Sequence, residues 1–103
     1  MQKTIEKKFY YHFKHKPEDP VNHLAYEVLG MAKHSEDEST LVIYRPMYIQ
    51  AWKGSADFLA RPYEMFIDEV HKPEFSGLRF RPIDDQSIIE ELKKIRDEMY
   101  CDK

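Results

Sequence analysis

A change of hydrophobic period near residue 84 limits most strongly what this chain can fold into. Before it, short segments rich in aromatic and β-branched residues alternate with loops that contain proline and glycine, a pattern typical of strands. After it, four apolar residues recur every three or four positions on one face of a helix expected from about residue 85 to residue 100: Ile88, Leu92, Ile95 and Met99. The chain is therefore predicted to be α+β, mainly β, with a C-terminal amphipathic helix.

The part before residue 84 predicts an antiparallel sheet of five or six strands. Strands are expected at residues 7–14, 24–33, 40–45, 57–61 and 78–83, with a further short strand at residues 67–70. The second and third strands form a hairpin, and Gly30 within the second predicts a bulge or bend. Leu78 and Phe80 are expected to face inward, and Asp84 is expected to cap the helix.

Length, charge and cysteine content limit the number of domains and the classes of partner that we expect. A chain of 103 residues is expected to form one compact unit, with a β domain at residues 1–83 and a helix at residues 84–103 that packs on it or on a partner. The 16 Lys and Arg against 19 Asp and Glu argue against a dedicated duplex-binding protein. With the single Cys101 and no apolar run long enough to span a bilayer, we expect a cytoplasmic protein without disulfides or a membrane partner.

The residues carry no recognisable catalytic or metal-binding motif. Four histidines lie in the first third of the chain, at His12, His15, His23 and His34, but their spacing is not that of a metal site. Neither a glycine-rich phosphate loop nor a nucleophile elbow is present. We therefore predict no catalytic residue, no metal and no cofactor.

Four short motifs follow one another along the chain: YHFK at residues 11–14, HSE at 34–36, YR at 44–45 and RPYEMF at 61–66. In this order they resemble the bacterial family known as domain of unknown function 1653, over about residues 9–81. The resemblance implies a small antiparallel β-barrel or roll of the SH3-like type, and it implies no assigned function. Longer connections at residues 15–23 and 51–58 depart from the family pattern.

Eight residues are candidates for a ligand-binding groove, either because they belong to the matched motifs or because they lie in the loop that follows YR: His12, His34, Tyr44, Arg45, Tyr48, Trp52, Arg61 and Glu64. Aromatic and basic side chains in loops of small β proteins commonly bind peptides or single-stranded nucleic acid. The leading hypothesis is therefore a non-enzymatic binding module for a peptide, a small ligand or single-stranded nucleic acid.

Three alternatives remain open. In the first, the protein is a small enzyme or nucleotide-handling accessory in which His12 or His34 acts as a general base and Arg45 binds an anion. In the second, it is an assembly protein that forms a homodimer through Ile88, Leu92, Ile95 and Met99. A structural role for Arg45 is equally open, in which it forms an ion pair with Glu64 that fixes a turn on the sheet.

Overall fold

The computed structural model describes residues 4–48 and 58–100. Their secondary-structure elements follow one another as β1 Phe9–His12, β2 Ala25–Lys33, β3 Thr40–Pro46, β4 Leu59–Pro62, α1 Tyr63–Phe66, β5 Glu69–Lys72, β6 Phe75–Leu78, β7 Phe80–Pro82 and α2 Gln86–Met99. The protein is thus mainly β with a C-terminal helix. Neither of the two helices in this part of the chain has the length and apolar character needed to cross a membrane.

The strands form two antiparallel sheets. One has five strands in the order β4-β3-β2-β1-β7, and the other is the β5–β6 hairpin. The predicted hairpin of β2 and β3 is confirmed, and its register shifts between Val28 and Gly30, where the glycine predicted a bulge. Gly30 has a positive φ of 159°, a conformation that residues with a Cβ rarely adopt.

Successive residues of β1 and of the start of β2 alternate between two buried faces. On one face, which we call the aromatic face, Tyr10, Tyr26 and Tyr44 pack with Phe66 of α1 and Phe80 of β7. The opposite face, which we call the helix face, is formed by buried residues that pack with α2: Phe9, Tyr11, Ala25, Met47, Ile83 and Leu92. Because both faces are covered, nearly every residue of β1 is buried.

The five-stranded sheet bends strongly around its aromatic face. Arg61 on β4 and Phe80 on β7 belong to strands at opposite edges, yet the Arg61 guanidinium lies 5.2 Å from the centre of the Phe80 ring. In a flat sheet, four spacings of about 4.8 Å would separate these strands by about 19 Å. Among the described residues no hydrogen-bonded ladder joins β4 to β7, so the sheet is open and the predicted closed barrel is not confirmed.

The helix α2 packs against its own sheet. Leu92 is fully buried on the helix face, and Ile88 and Ile95 pack beside it. The predicted cap at Asp84 is wrong by one residue. Asp85 caps the helix by accepting hydrogen bonds from the backbone N–H groups of Ser87 and Ile88, whereas the exposed Asp84 pairs with Lys8 at 2.6 Å.

The strand predicted at residues 78–83 is divided in two. Leu78 ends β6, and β7 begins at Phe80. The prediction that Leu78 faces inward is wrong: its side chain is 43% exposed, because it lies opposite the exposed Glu69 in the β5–β6 hairpin. Phe80 is buried, as predicted.

Candidate functional site

Several of the predicted site residues meet on the aromatic face. Arg61 Nε donates a hydrogen bond to Tyr44 Oη at 3.3 Å. Tyr48 Oη shares a hydrogen bond of 2.5 Å with the hydroxyl of Tyr26, a residue that was not among the predicted site residues. The His12 ring stands edge-on to Phe80 with its centre 5.3 Å away, beside the Arg61 guanidinium that covers the same ring. We call His12, Tyr26, Tyr44, Tyr48 and Arg61 the aromatic-face cluster.

Burial sets the protonation of this cluster. Burial, reinforced by the positive charges of Arg79 and Arg61, lowers the pKa of His12 to about 4. The imidazole is therefore neutral at pH 7, and its Nδ1 accepts a hydrogen bond from the backbone N–H of Lys14 at 3.2 Å. Burial, with the hydrogen bond to Tyr48, raises the pKa of Tyr26, so its hydroxyl stays protonated.

Arg45 lies on the opposite face of the sheet and has a structural partner. Its Nη2 is 2.9 Å from Glu27 Oε1, directly across from it on β2, and its guanidinium lies 4.0 Å from the centre of the Tyr100 ring. Arg96 of α2 binds the other carboxylate oxygen of Glu27 at 3.1 Å. The predicted pair of Arg45 with Glu64 is wrong, because α1 covers the aromatic face whereas Arg45 faces α2.

The remaining predicted residues do not join the cluster. His34 lies exposed in the turn after β2, where its Nδ1 accepts a hydrogen bond from the N–H of Glu36 at 3.1 Å. Glu64 is exposed on α1. Trp52 lies outside the described residues. The structure therefore does not bring a histidine together with Arg45, as the enzyme alternative requires.

A cleft of about 750 Å³ opens beside the cluster. Two segments line it, the connection from β1 to β2 and the β5–β6 hairpin, through Phe13, Lys14, Lys16, Asp19, His23, Leu24, Lys72, Glu74 and Phe75. The rings of Phe13 and Phe75 stack with their centres 5.4 Å apart, and Lys72 Nζ lies 5.4 Å from the centre of the Phe13 ring. We call this the basic cleft.

Among the described residues, the three lysines of the basic cleft form no direct ion pair, and the lining carries three lysines against two carboxylates. In the part of the chain that the structure describes, no carboxylate lies within ion-pair distance of Lys14, Lys16 or Lys72. Of the two acidic residues in the lining, Asp19 accepts a hydrogen bond from the backbone N–H of Lys16 at 3.0 Å and so closes a turn. Glu74 is exposed at the hairpin.

The aromatic-face cluster supports the basic cleft from behind. The His12 ring lies 4.6 Å from the ring of Phe13, and the Tyr48 ring lies 5.8 Å from that of His23. Sequence reasoning missed the cleft because it placed Phe13 within a strand at residues 7–14 and gave no role to residues 71–77. The available signal was the spacing of lysines and phenylalanines in the two segments, FKHK at residues 13–16 and KPEF at residues 72–75.

No metal centre is formed by the residues described. Across residues 4–48 and 58–100, no three His, Cys, Asp or Glu side chains come close enough to hold an ion. The rings of His12 and His23 instead lie beside those of Phe13 and Tyr48, respectively.

The fold and the site define a small, mainly β protein with antiparallel sheets, a C-terminal helix and an open cleft. Residues 8–82 match the family described as protein of unknown function (DUF1653), and the chain belongs to that family. The crystal structure of a DUF1653 protein from Bordetella bronchiseptica is similar, with 20% identity and a TM-score of 0.61 over 77% of this chain and 87% of that one. At this identity the likeness shows the fold alone. No curated protein matches the chain.

Proposed function

We propose that this protein is a non-enzymatic binding module that holds an anionic ligand in the basic cleft. The observation that carries the proposal is the set of three lysines without carboxylate partners among the described residues, around a cleft that contains two stacked phenylalanine rings: Lys14, Lys16 and Lys72. A volume of about 750 Å³ lies within the usual range for small-ligand sites, roughly 300–1,000 Å³.

The chemistry of the neighbouring groups favours binding over catalysis. A general base works best when its pKa is near the working pH. The pKa of His12 is lowered to about 4, so this imidazole is a weak base. The raised pKa of Tyr26 likewise keeps its hydroxyl from acting as a base. Both groups serve as fixed hydrogen-bonding and packing groups behind the cleft.

Two finer features belong to the same proposal. We assign the curved sheet to the SH3-like rolls, supported by the contact between Arg61 and Phe80 across its two edge strands. A cytoplasmic location and a homodimer through α2 remain predictions. Sedimentation equilibrium of the intact chain tests the dimer, and a monomer mass at every concentration would reject it.

Titration of the ¹⁵N-labelled protein with tripolyphosphate tests the binding site. We expect chemical-shift changes in the backbone amides of Lys14, Lys72 and Phe75. The double variant Lys14→Ala/Lys72→Ala should lose these changes, whereas Lys94→Ala, an exposed lysine on α2, should keep them. Shift changes centred on α2, or none at millimolar tripolyphosphate, would reject the proposal.

A further inference from the structure

We infer that the basic cleft recognises a nucleobase joined to phosphate, either in single-stranded nucleic acid or as a free nucleotide. The inference rests on the proposed function and adds to it the class of ligand. Two features of the cleft carry it: the flat surface of the phenylalanine pair and the distribution of lysines on both segments that line it.

The phenylalanine pair provides a surface suited to a planar ring. The rings of Phe13 and Phe75 are inclined by only 28° and lie 5.4 Å apart. Gly77 leaves room for the ring of Phe75, since a Cβ at that position would lie 3.1 Å from Phe75 Cζ. Stacking of bases on aromatic side chains is the common source of affinity in proteins that bind single strands, and it tolerates any base sequence.

Both segments that line the cleft contribute lysines. Lys14 and Lys16 belong to the first lining segment, and Lys72 belongs to the second. Lysines on both segments can contact different phosphates of one strand whose bases stack on the aromatic pair. Arg79, which lies 5.8 Å from the centre of the Phe13 ring, is held by Asp68 at 2.8 Å and so adds less free positive charge.

Charge and shape argue against other polyanions. The formal net charge of −3 argues against duplex binding, which usually requires a clear excess of basic residues. An acidic peptide would satisfy the lysines but would leave the ring surface of Phe13 and Phe75 without a planar partner. A single strand satisfies both, because its bases and phosphates alternate.

Fluorescence anisotropy with labelled eight-nucleotide oligo-U and oligo-dT, at 50 mM salt, tests the inference. We expect the oligonucleotides to have a higher affinity than tripolyphosphate, whose affinity is measured by competition. With three phosphate contacts, the slope of log K against log salt should be about −2. In Lys72→Ala, which loses one contact, the slope should become shallower by about 0.7. Glu74→Gln should tighten binding a few-fold by removing an exposed negative charge from the rim, and Lys94→Ala should change nothing.

The variant Phe75→Leu separates the ring from the charge. It keeps an apolar side chain but removes the flat surface, so oligonucleotide affinity should fall about tenfold. Binding of tripolyphosphate should persist, which also shows that the variant is folded. If UMP binds as tightly as the oligonucleotide, the inference holds and the ligand is a free nucleotide.

Other outcomes would overturn the inference. These are oligonucleotide binding no tighter than that of tripolyphosphate, equal competition by poly-glutamate, equal binding of duplex, and an unchanged oligonucleotide affinity in Phe75→Leu. If tripolyphosphate still binds at the cleft, these results reject the nucleotide class and leave the proposed function standing. If neither anion binds, both are rejected.

Discussion

Replacement of Glu27 by glutamine should destabilise the fold by removing the carboxylate that joins α2 to the sheet. Glu27 accepts hydrogen bonds from Arg45 on β3 and from Arg96 on α2, one at each carboxylate oxygen. The substitution keeps the size of the side chain and removes its charge. Two partly buried guanidinium groups then lose their common partner.

The magnitude follows from the exposure of the three side chains, 14% for Glu27, 19% for Arg45 and 28% for Arg96. Breaking a buried ion pair from one side costs roughly 3–5 kcal/mol, whereas an exposed pair contributes about 0–1 kcal/mol. The site lies between these limits, so we expect Glu27→Gln to lower the free energy of unfolding by about 2 kcal/mol. For a domain of this size that loss lowers Tm by roughly 10 °C.

Urea denaturation followed by circular dichroism measures this loss. Arg45→Met and Arg96→Met should each cost about 1 kcal/mol, because Glu27 keeps one partner in either variant. In a double-mutant cycle, Glu27 and Arg96 should show a coupling of about 1 kcal/mol. As a control, Glu90→Gln removes the exposed pair with Lys93, 3.9 Å apart, and should cost under about 0.5 kcal/mol.

Two results would contradict this interpretation of Arg45. One is a loss below about 0.5 kcal/mol for Glu27→Gln, no larger than that of an exposed pair. The other is an Arg45→Met variant that keeps its full stability but no longer binds tripolyphosphate, since this would make Arg45 a ligand-binding residue.

Three further predictions concern single positions. The pKa of His12 is lowered from 6.5 to about 4, so as the pH falls the unfolded chain binds a proton at this residue before the folded protein does. The free energy of unfolding should therefore fall by about 1 kcal/mol between pH 7 and pH 5, a value reduced for the partial exposure of the ring. Urea titrations at both pH values check this, and His12→Gln should remove that part of the dependence. Gly77→Ala should lower the free energy of unfolding by about 2 kcal/mol and Gly30→Ala by about 1 kcal/mol, as measured by thermal unfolding. Both glycines have a positive φ, but only the new methyl group at position 77 would press on Phe75. Leu92→Ala should cost about 3 kcal/mol in urea denaturation, since the side chain is fully buried between α2 and the sheet.

The elements that could be predicted from the sequence are those with local signals. The hairpin of β2 and β3, the bulge at Gly30 and the amphipathic helix all follow from residues close together in the chain. The predicted closed barrel is not confirmed, and local patterns could not decide this question, since closure depends on pairing between strands distant in sequence. β1 pairs instead with β7, about 70 residues later, and β4 remains at an edge.

The partner of Arg45 could not be predicted because it depends on strand register. From Lys33 opposite Thr40, an unbroken hairpin would place Glu27 opposite Pro46. The bulge between Val28 and Gly30 shifts the pairing by one residue and brings Glu27 opposite Arg45. A pattern can indicate that a bulge is present, but not how many residues it displaces.

Part of the candidate site was accessible from the sequence and part was not. Tyr44 and Arg61 belong to motif positions, and the structure joins them by a hydrogen bond on one face of the sheet. The basic cleft combines segments about 50 residues apart, so no local spacing connects Lys14 with Lys72. Their proximity arises from the pairing of β1 with β7, which brings residues 12 and 80 opposite each other.

The extent of the family match separates the cleft from the helix. Every residue that lines the basic cleft lies within residues 8–82, whereas Arg96 and Tyr100 follow that region. Glu27 and Arg45 lie inside it and already form a cross-strand pair through Oε1, so α2 attaches to this pair through the second oxygen. Arg45 therefore stabilises the helix face, and binding experiments should target the lysines and Phe75 of the basic cleft.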